Sequence, residues 1–163
     1  MRKHAASYGL LITAVLMTIL LMGCESANLP PSISSVQSHF QEYSEDIQII
    51  TAFLSSSAYE DVYITKNDGS MLADLQEISI DDPAIAEVIE RIIDKDGYQH
   101  IIKNGDTISL LQWRGIRDIG CGVAYSINGM NAPQIEYLTQ LVPLSDNGWF
   151  YYVSDYNAWR NSQ

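Results

Sequence analysis

Two cysteines, three histidines and twenty carboxylates are the side chains with which this chain of 163 residues could do chemistry. Cys121 stands between Gly120 and Gly122, and a reactive thiol is the sharpest idea it suggests. No base or positive charge lies near it in sequence. On a strand it shares parity with Val123, Tyr125 and Ile127, so a buried structural cysteine is expected. Asp94-Lys95-Asp96-Gly97 resembles part of a calcium loop. Aligned on its glycine, however, it places Ile92 and Lys103 at the two terminal ligand positions, where neither side chain can bind the ion. Lys66-Asn67-Asp68-Gly69 fails in the same way. His39 lies beside Phe40 with Glu42 three residues on, and His100 lies in the middle of a strand. H-E-x-x-H, C-x-x-C, G-x-S-x-G and a phosphate-cradling glycine loop are all missing from the sequence. No catalytic residue, metal site or cofactor is therefore assigned. A cleft gathering His100, a carboxylate and either a serine or Cys121 would instead make the protein a hydrolase with a site that no motif announces.

The elements that would hold such groups read as α+β. Val36, Phe40, Tyr43, Ile47, Ile50 and Leu54 form one helical stripe, which predicts a long helix over 32–57 with Ser32 as its N-cap. The same spacing would suit a coiled-coil partner, but Ile49 and Phe53 widen the stripe toward a globular face. Tyr59–Thr65 predicts a strand, and Met71–Ile80 fits either a helical turn or a short strand. Asp82-Pro83 opens a second helix with Ile85, Val88, Ile89, Ile92 and Ile93 on one side, and Gly97 ends it. Asn104-Gly105 predicts a hairpin that pairs Ile101 with Ile108. Strands are also expected at Cys121–Ile127, Ile135–Val142 and Trp149–Val153, with a last helical turn near Asp155–Arg160. The expected architecture is a long N-terminal helix and a second helix packed on a largely antiparallel sheet of about five or six strands.

The C-terminal stretch is rich in aromatic residues. Alternation puts Trp149 and Tyr151 on one face, with Phe150 and Tyr152 on the other. One set would seal the core. The other would be either covered as well or a solvent-facing platform for a sugar, peptide or partner protein. Trp149, Tyr151, Tyr152, Tyr156 and Trp159 are the candidate binding residues.

The first 23 residues are of another kind. Arg2, Lys3 and His4 precede the uncharged run Ala5–Gly23, which ends Leu21-Met22-Gly23-Cys24. An aliphatic residue at −3, a small one at −1 and then cysteine resemble the lipobox of bacterial lipoproteins, with Met22 at −2 a minor departure. The resemblance covers the leader alone. It implies cleavage before Cys24, a diacylglycerol thioether on the Cys24 thiol and, where the new amine is acylated too, stable anchoring at about 0.8 kcal/mol per buried methylene. An uncleaved membrane-spanning anchor is the competing reading. The expected organisation is a signal peptide (1–23), a proline-stiffened tether (24–32) and one acidic α+β domain (33–163). The expected location is the extracytoplasmic side of the cell membrane, or the outer membrane if the host has two. Cys24 would be used by lipid, which leaves Cys121 without a disulfide partner.

Arg2 and Lys3 belong to the leader, so the rest carries a net charge of −13. Such a surface repels polyphosphate and anionic headgroups, which argues against nucleic acid as a partner. The membrane, through Cys24, and an envelope protein or small ligand are the expected partners, and the expected role is that of a non-enzymatic binding module. Replacing Cys24 by serine should abolish both membrane attachment and the processed, acylated mass. Unchanged fractionation and mass would overturn the lipoprotein reading.

Overall fold

The computed structural model describes residues 29–65, 70–116, 118–129, 131–145 and 147–162. The leader, Cys24, most of the tether and the Lys66–Gly69 turn lie outside these residues. Among the described residues, no helix is long and apolar enough to cross a membrane.

β-branched and aromatic runs form eight strands: β1 (Asp61–Thr65), β2 (Ser70–Ala73), β3 (Gln76–Ser79), β4 (His100–Asn104), β5 (Thr107–Arg114), β6 (Ile119–Ser126), β7 (Leu138–Pro143) and β8 (Trp149–Asp155). They make one sheet in the order β3-β2-β1-β4-β5-β6-β8-β7, with each neighbouring pair antiparallel. The architecture is α+β as expected, but the sheet is larger than the expected five or six strands. The ambiguous stretch Met71–Ile80 supplies the difference by folding into the β2–β3 hairpin. Its loop is Asp74-Leu75, with both residues at positive φ (47° and 67°) and no glycine to advertise a turn. Asp74 anchors the loop through two bonds to Asp61. Its N–H donates to the Asp61 carbonyl, and its Oδ1 accepts the Asp61 N–H, both at 2.9 Å.

The β4–β5 hairpin differs from expectation by one step. Asn104 stays extended and pairs with Thr107, so the loop is Gly105-Asp106 and Ile101 faces Leu110 rather than Ile108. Gly105 takes the first loop position at φ 51°, where glycine is favoured. This changes the partners but not the faces, because side chains alternate with a period of two.

Among the described residues four α-helices accompany the sheet: α1 (Ile33–Glu42), α2 (Ser44–Ser56), α3 (Pro83–Glu90) and α4 (Tyr156–Asn161). The single long N-terminal helix is not present. The chain leaves helical geometry at Tyr43 (φ −107°, ψ 19°) and restarts at once as α2. The two pieces have different work. Phe40 of α1 lays its ring on Trp149 of β8 at 4.7 Å, while Ile47, Ile50 and Leu54 of α2 are fully buried and α2 packs beside α3. A sheet of this width twists, and a straight rod could not stay on the layer along its whole length. The apolar spacing is the same on both sides of Tyr43, so the break leaves no mark in the sequence pattern.

Asp82 caps α3 by accepting the Ala84 N–H at 2.9 Å, with Pro83 in the first turn. The last turn widens into a π-helical segment, Arg91–Lys95, before Gly97 at φ 77° turns the chain away. From this segment Arg91 reaches α2. Its Nε and Nη2 donate to the two carboxylate oxygens of Asp46 at 2.8 and 2.7 Å, and its Nη1 donates to Glu87 at 3.0 Å. The hydrogen bonds from Arg91 hold the Asp46 carboxyl below the ordinary carboxylate range.

A second cation fixes the far end of α2. Lys103 lies on the helix-covered face of β4 and is only 6% exposed. Its ammonium donates to the Tyr59 carbonyl at 2.6 Å, the Ser57 hydroxyl at 3.1 Å and the Ser57 carbonyl at 3.2 Å. Three N–H groups thus meet three oxygens just past the C-terminus of α2, where the helix dipole also favours positive charge. Lys103→Met should lower the unfolding free energy by about 1.5–3 kcal/mol, because oxygens matched to a buried charge lose their donor. Urea denaturation of the Cys24→Ser protein with and without the substitution measures this.

Candidate functional site

The site grows out of β6. Its residues alternate between large and small: Cys121, Val123 and Tyr125 point toward the helices, while Gly120, Gly122, Ala124 and Ser126 point to the other face. The core under α1, α2 and α3 lies on the first face, and on the second Gly120 forms part of the floor of a trench. Leu111 of β5 and Tyr152 of β8 flank Gly122, and Ser109 and Phe150 flank Ala124. A methyl group at Gly122 would strike the Leu110 carbonyl oxygen, beside the point where β5 bulges between Leu111 and Trp113. At Gly120 a methyl would lie 2.9 Å from Leu111 Cδ1 and 3.3 Å from Ser154 Oγ. Gly122 is required by space, not by a turn, whereas at Gly120 the end of the Leu111 side chain could move aside.

Over this floor lies a cleft of about 650 Å³, a size suited to a small ligand. Ile102 and Asn104 of β4, with Thr107, Ser109 and Leu111 of β5, form one wall. Tyr152 and Ser154 of β8 form the other. The segment between β6 and β7 covers it with Gln134, Ile135, Glu136 and Tyr137. That segment is pinned where the Gln134 N–H donates to the Thr107 hydroxyl at 2.8 Å, where Asn128 Nδ2 donates to Asp106 at 2.7 Å, and where the Asp155 N–H donates to the Tyr137 carbonyl at 2.9 Å. One end carries charge: Arg114 donates to Asp118 at 3.0 Å in an exposed pair, near Glu136. Exposed pairs of this kind hold geometry weakly.

Inside, Tyr152 is 4% exposed, and burial pushes its phenol well above the ordinary range. The Ser109 hydroxyl, itself buried, opposes that shift weakly. The cleft thus offers aliphatic and tyrosyl surface with neutral hydroxyl and amide groups around it. Its described lining residues include no histidine, lysine or cysteine.

His100 lies on the same face of the sheet but is engaged elsewhere. Its Nδ1 is 2.9 Å from the Tyr63 hydroxyl, and the two rings stack at 5.2 Å. Burial, and then the positive charge of Arg114, hold its pKa below the ordinary histidine value. Cys121 lies on the opposite face, fully buried beneath the helices, with its thiol pushed up to about 11 by burial. His100 and Cys121 therefore lie on opposite faces of the sheet and do not form a pair.

The candidate aromatic residues are dispersed. Trp149 and Tyr151 face the helices and belong to the core, which corrects their reading as binding residues. Trp149 packs against Phe40 and Tyr125, and the Tyr151 hydroxyl donates to the Pro31 carbonyl at 3.2 Å. Tyr152 faces the cleft. Tyr156 and Trp159 lie on α4, half-exposed, against Tyr137. The alternation of small residues along β6 was the sequence signal for the trench. Tyr137 and Ser109 had no such signal, because chain distance separates them from their spatial partners.

At the end of α3, His39 Nε2, Asp96 Oδ2 and Tyr98 Oη are buried without a protein hydrogen-bond partner. Burial, and then Asp46, push the Asp96 carboxyl upward. Among the described residues, no cluster of three or more histidine, cysteine or acidic side chains is arranged to hold a metal.

Comparison with protein-family models, with curated proteins and with solved structures returned no match.

In the folded Cys24→Ser protein, Cys121 should resist a thiol reagent at pH 8, where its thiolate is scarce and shielded, and should react fully in denaturant. Rapid labelling of the native protein would contradict both the burial and the raised pKa.

Proposed function

We propose that this protein is a lipoprotein held outside the cytoplasmic membrane through Cys24, and that its domain is a non-enzymatic module binding a small ligand in the trench over β6. The observation that carries the binding reading is the cleft of about 650 Å³, with Gly120 in its floor and Ser109, Tyr152 and Ser154 in its walls. Apolar surface with a few placed polar groups favours binding, and the described lining residues include no histidine, lysine or cysteine. The leader ending Leu21-Met22-Gly23-Cys24 supports the anchor.

The two parts fit together in space. Pro31 is tied to Tyr151 on the helix-covered face. Six residues lie between it and Cys24, so the seven steps reach at most about 25 Å. The tether therefore joins the domain on the face opposite the cleft. A bilayer on the tether side leaves the cleft toward the envelope space, where a diffusing ligand would meet it.

The test is a nuclear magnetic resonance screen of small molecules against the full chain in detergent. A ligand of the cleft should shift the amides of Ser109, Ala124, Tyr152 and Ser154. Ser109→Leu, which fills the trench, should weaken its binding at least tenfold while leaving the remaining spectrum folded. Shifts confined to other surfaces, or undiminished binding by a folded Ser109→Leu protein, would defeat the reading.

A further inference from the structure

The register of the sheet brings charge to one end of the trench. Arg114 pairs with Gly120 across β5 and β6. Ile119, the residue before Gly120, pairs with Asp155 across β6 and β8, and the Asp155 N–H donates to the Tyr137 carbonyl at 2.9 Å. Glu136 precedes Tyr137 and lines the same cleft as Arg114. The start of β6 therefore has Arg114 on its β5 side and Glu136 on its β8 side. β5 and β8 are each one strand from β6, which sets their backbones roughly 10 Å apart. Two long side chains of opposite sign thus stand on either side of one opening.

Both charges have capacity to spare. Asp118 Oδ1 accepts one N–H of the Arg114 guanidinium at 3.0 Å, and a guanidinium has others to give. Both members of that pair are more than half exposed, so moving Asp118 aside costs little. Glu136 is exposed, and among the described residues it has no ion-pair partner. Beyond this end, the described lining residues carry no charge. Leu111 and Ile119 supply aliphatic surface, and Ser109, Tyr152 and Ser154 supply hydroxyls. Ser109 and Tyr152 are buried, so a charged group pressed against them would lose its water and find no counter-ion.

Resting on the reading of the trench as a ligand site, we propose that it takes a free apolar α-amino acid, with its carboxylate on Arg114, its ammonium on Glu136 and its side chain over Gly120 toward Tyr152. An α-amino acid carries both charges on one carbon with an uncharged body behind them, which matches the division of charge along the lining. A peptide carries its two charges at opposite ends and would put one of them into the uncharged part. A simple carboxylate would meet Arg114 but also face Asp118 and Glu136, and a simple amine would forgo the hydrogen bonds of Arg114.

The probe is L-phenylalanine, titrated by nuclear magnetic resonance into the full chain in detergent at pH 7. It should shift the Ser109, Tyr152 and Ser154 amides saturably. 3-Phenylpropionate, which lacks the ammonium, and phenethylamine, which lacks the carboxylate, should each bind roughly tenfold more weakly. L-Glutamate, with the same head and a charged side chain, should leave those amides unmoved. Glu136→Gln should weaken phenylalanine roughly tenfold but not 3-phenylpropionate, and Arg114→Gln should weaken phenylalanine by as much but not phenethylamine. Both substitutions are at exposed positions, and a dispersed spectrum checks that each variant folds. Single-charge analogues that enter the trench as tightly as phenylalanine would overturn the inference and leave the trench a ligand site. So would trench shifts from other screened molecules with none from phenylalanine. Equal weakening of phenylalanine and both analogues in either variant would mark a structural effect and would also overturn it. A trench that no molecule enters would defeat both readings.

Discussion

A strand that is large on one face and small on the other sets the terms for the whole molecule. In β6, Cys121 and Val123 are fully buried against the helices, while Gly120, Gly122 and Ala124 put little side chain on the opposite face. Because β6 lies between β5 and β8, that alternation has two effects. It supplies the depth of the core on one side, and it cuts a trench between the side chains of its neighbours on the other. The cleft is thus a by-product of the same period of two that builds the core. The small row is itself constrained, since a methyl at Gly122 would collide with the backbone of β5.

Two cations keep the helical layer in register with that sheet. Arg91 joins α3 to α2 through a two-pronged bond to Asp46, and Lys103 secures the C-terminal end of α2 from β4. Both are partly or wholly withdrawn from water, where a charge is tolerable only if its hydrogen bonds are complete. Lys103 completes its set with uncharged oxygens at a helix end rather than with a carboxylate. In a chain so rich in acids, the basic residues that fold the domain are thereby withdrawn from its surface, which is left more negative.

The aromatic residues are divided among three tasks by small differences in position. Trp149 and Tyr151 fill the core, Tyr152 lines the trench one residue later on the opposite face, and Tyr156 and Trp159 leave the sheet altogether on α4. Alternation separated the first two from the third correctly. It could not say which face the helices would cover, because both faces of β8 are apolar enough to be buried.

By itself the sequence determined what local chemistry can encode: the α+β class, the caps at Ser32 and Asp82, the end of the second helix at Gly97, the face on which Cys121 lies, and the acidic surface. Each follows from a propensity, a period or a charge read within a few residues. The tertiary structure decided the rest. The break at Tyr43 answers to the twist of a sheet formed by later residues. The Asp74-Leu75 turn is made possible by bonds to Asp61, and eight strands replace the expected five or six because of it. The trench needs three strands in register, and the contact of Tyr137 with α4 needs Asp155 to hold it. Contacts between residues far apart in the chain leave no periodic trace in it, so these features became visible only when the chain was folded.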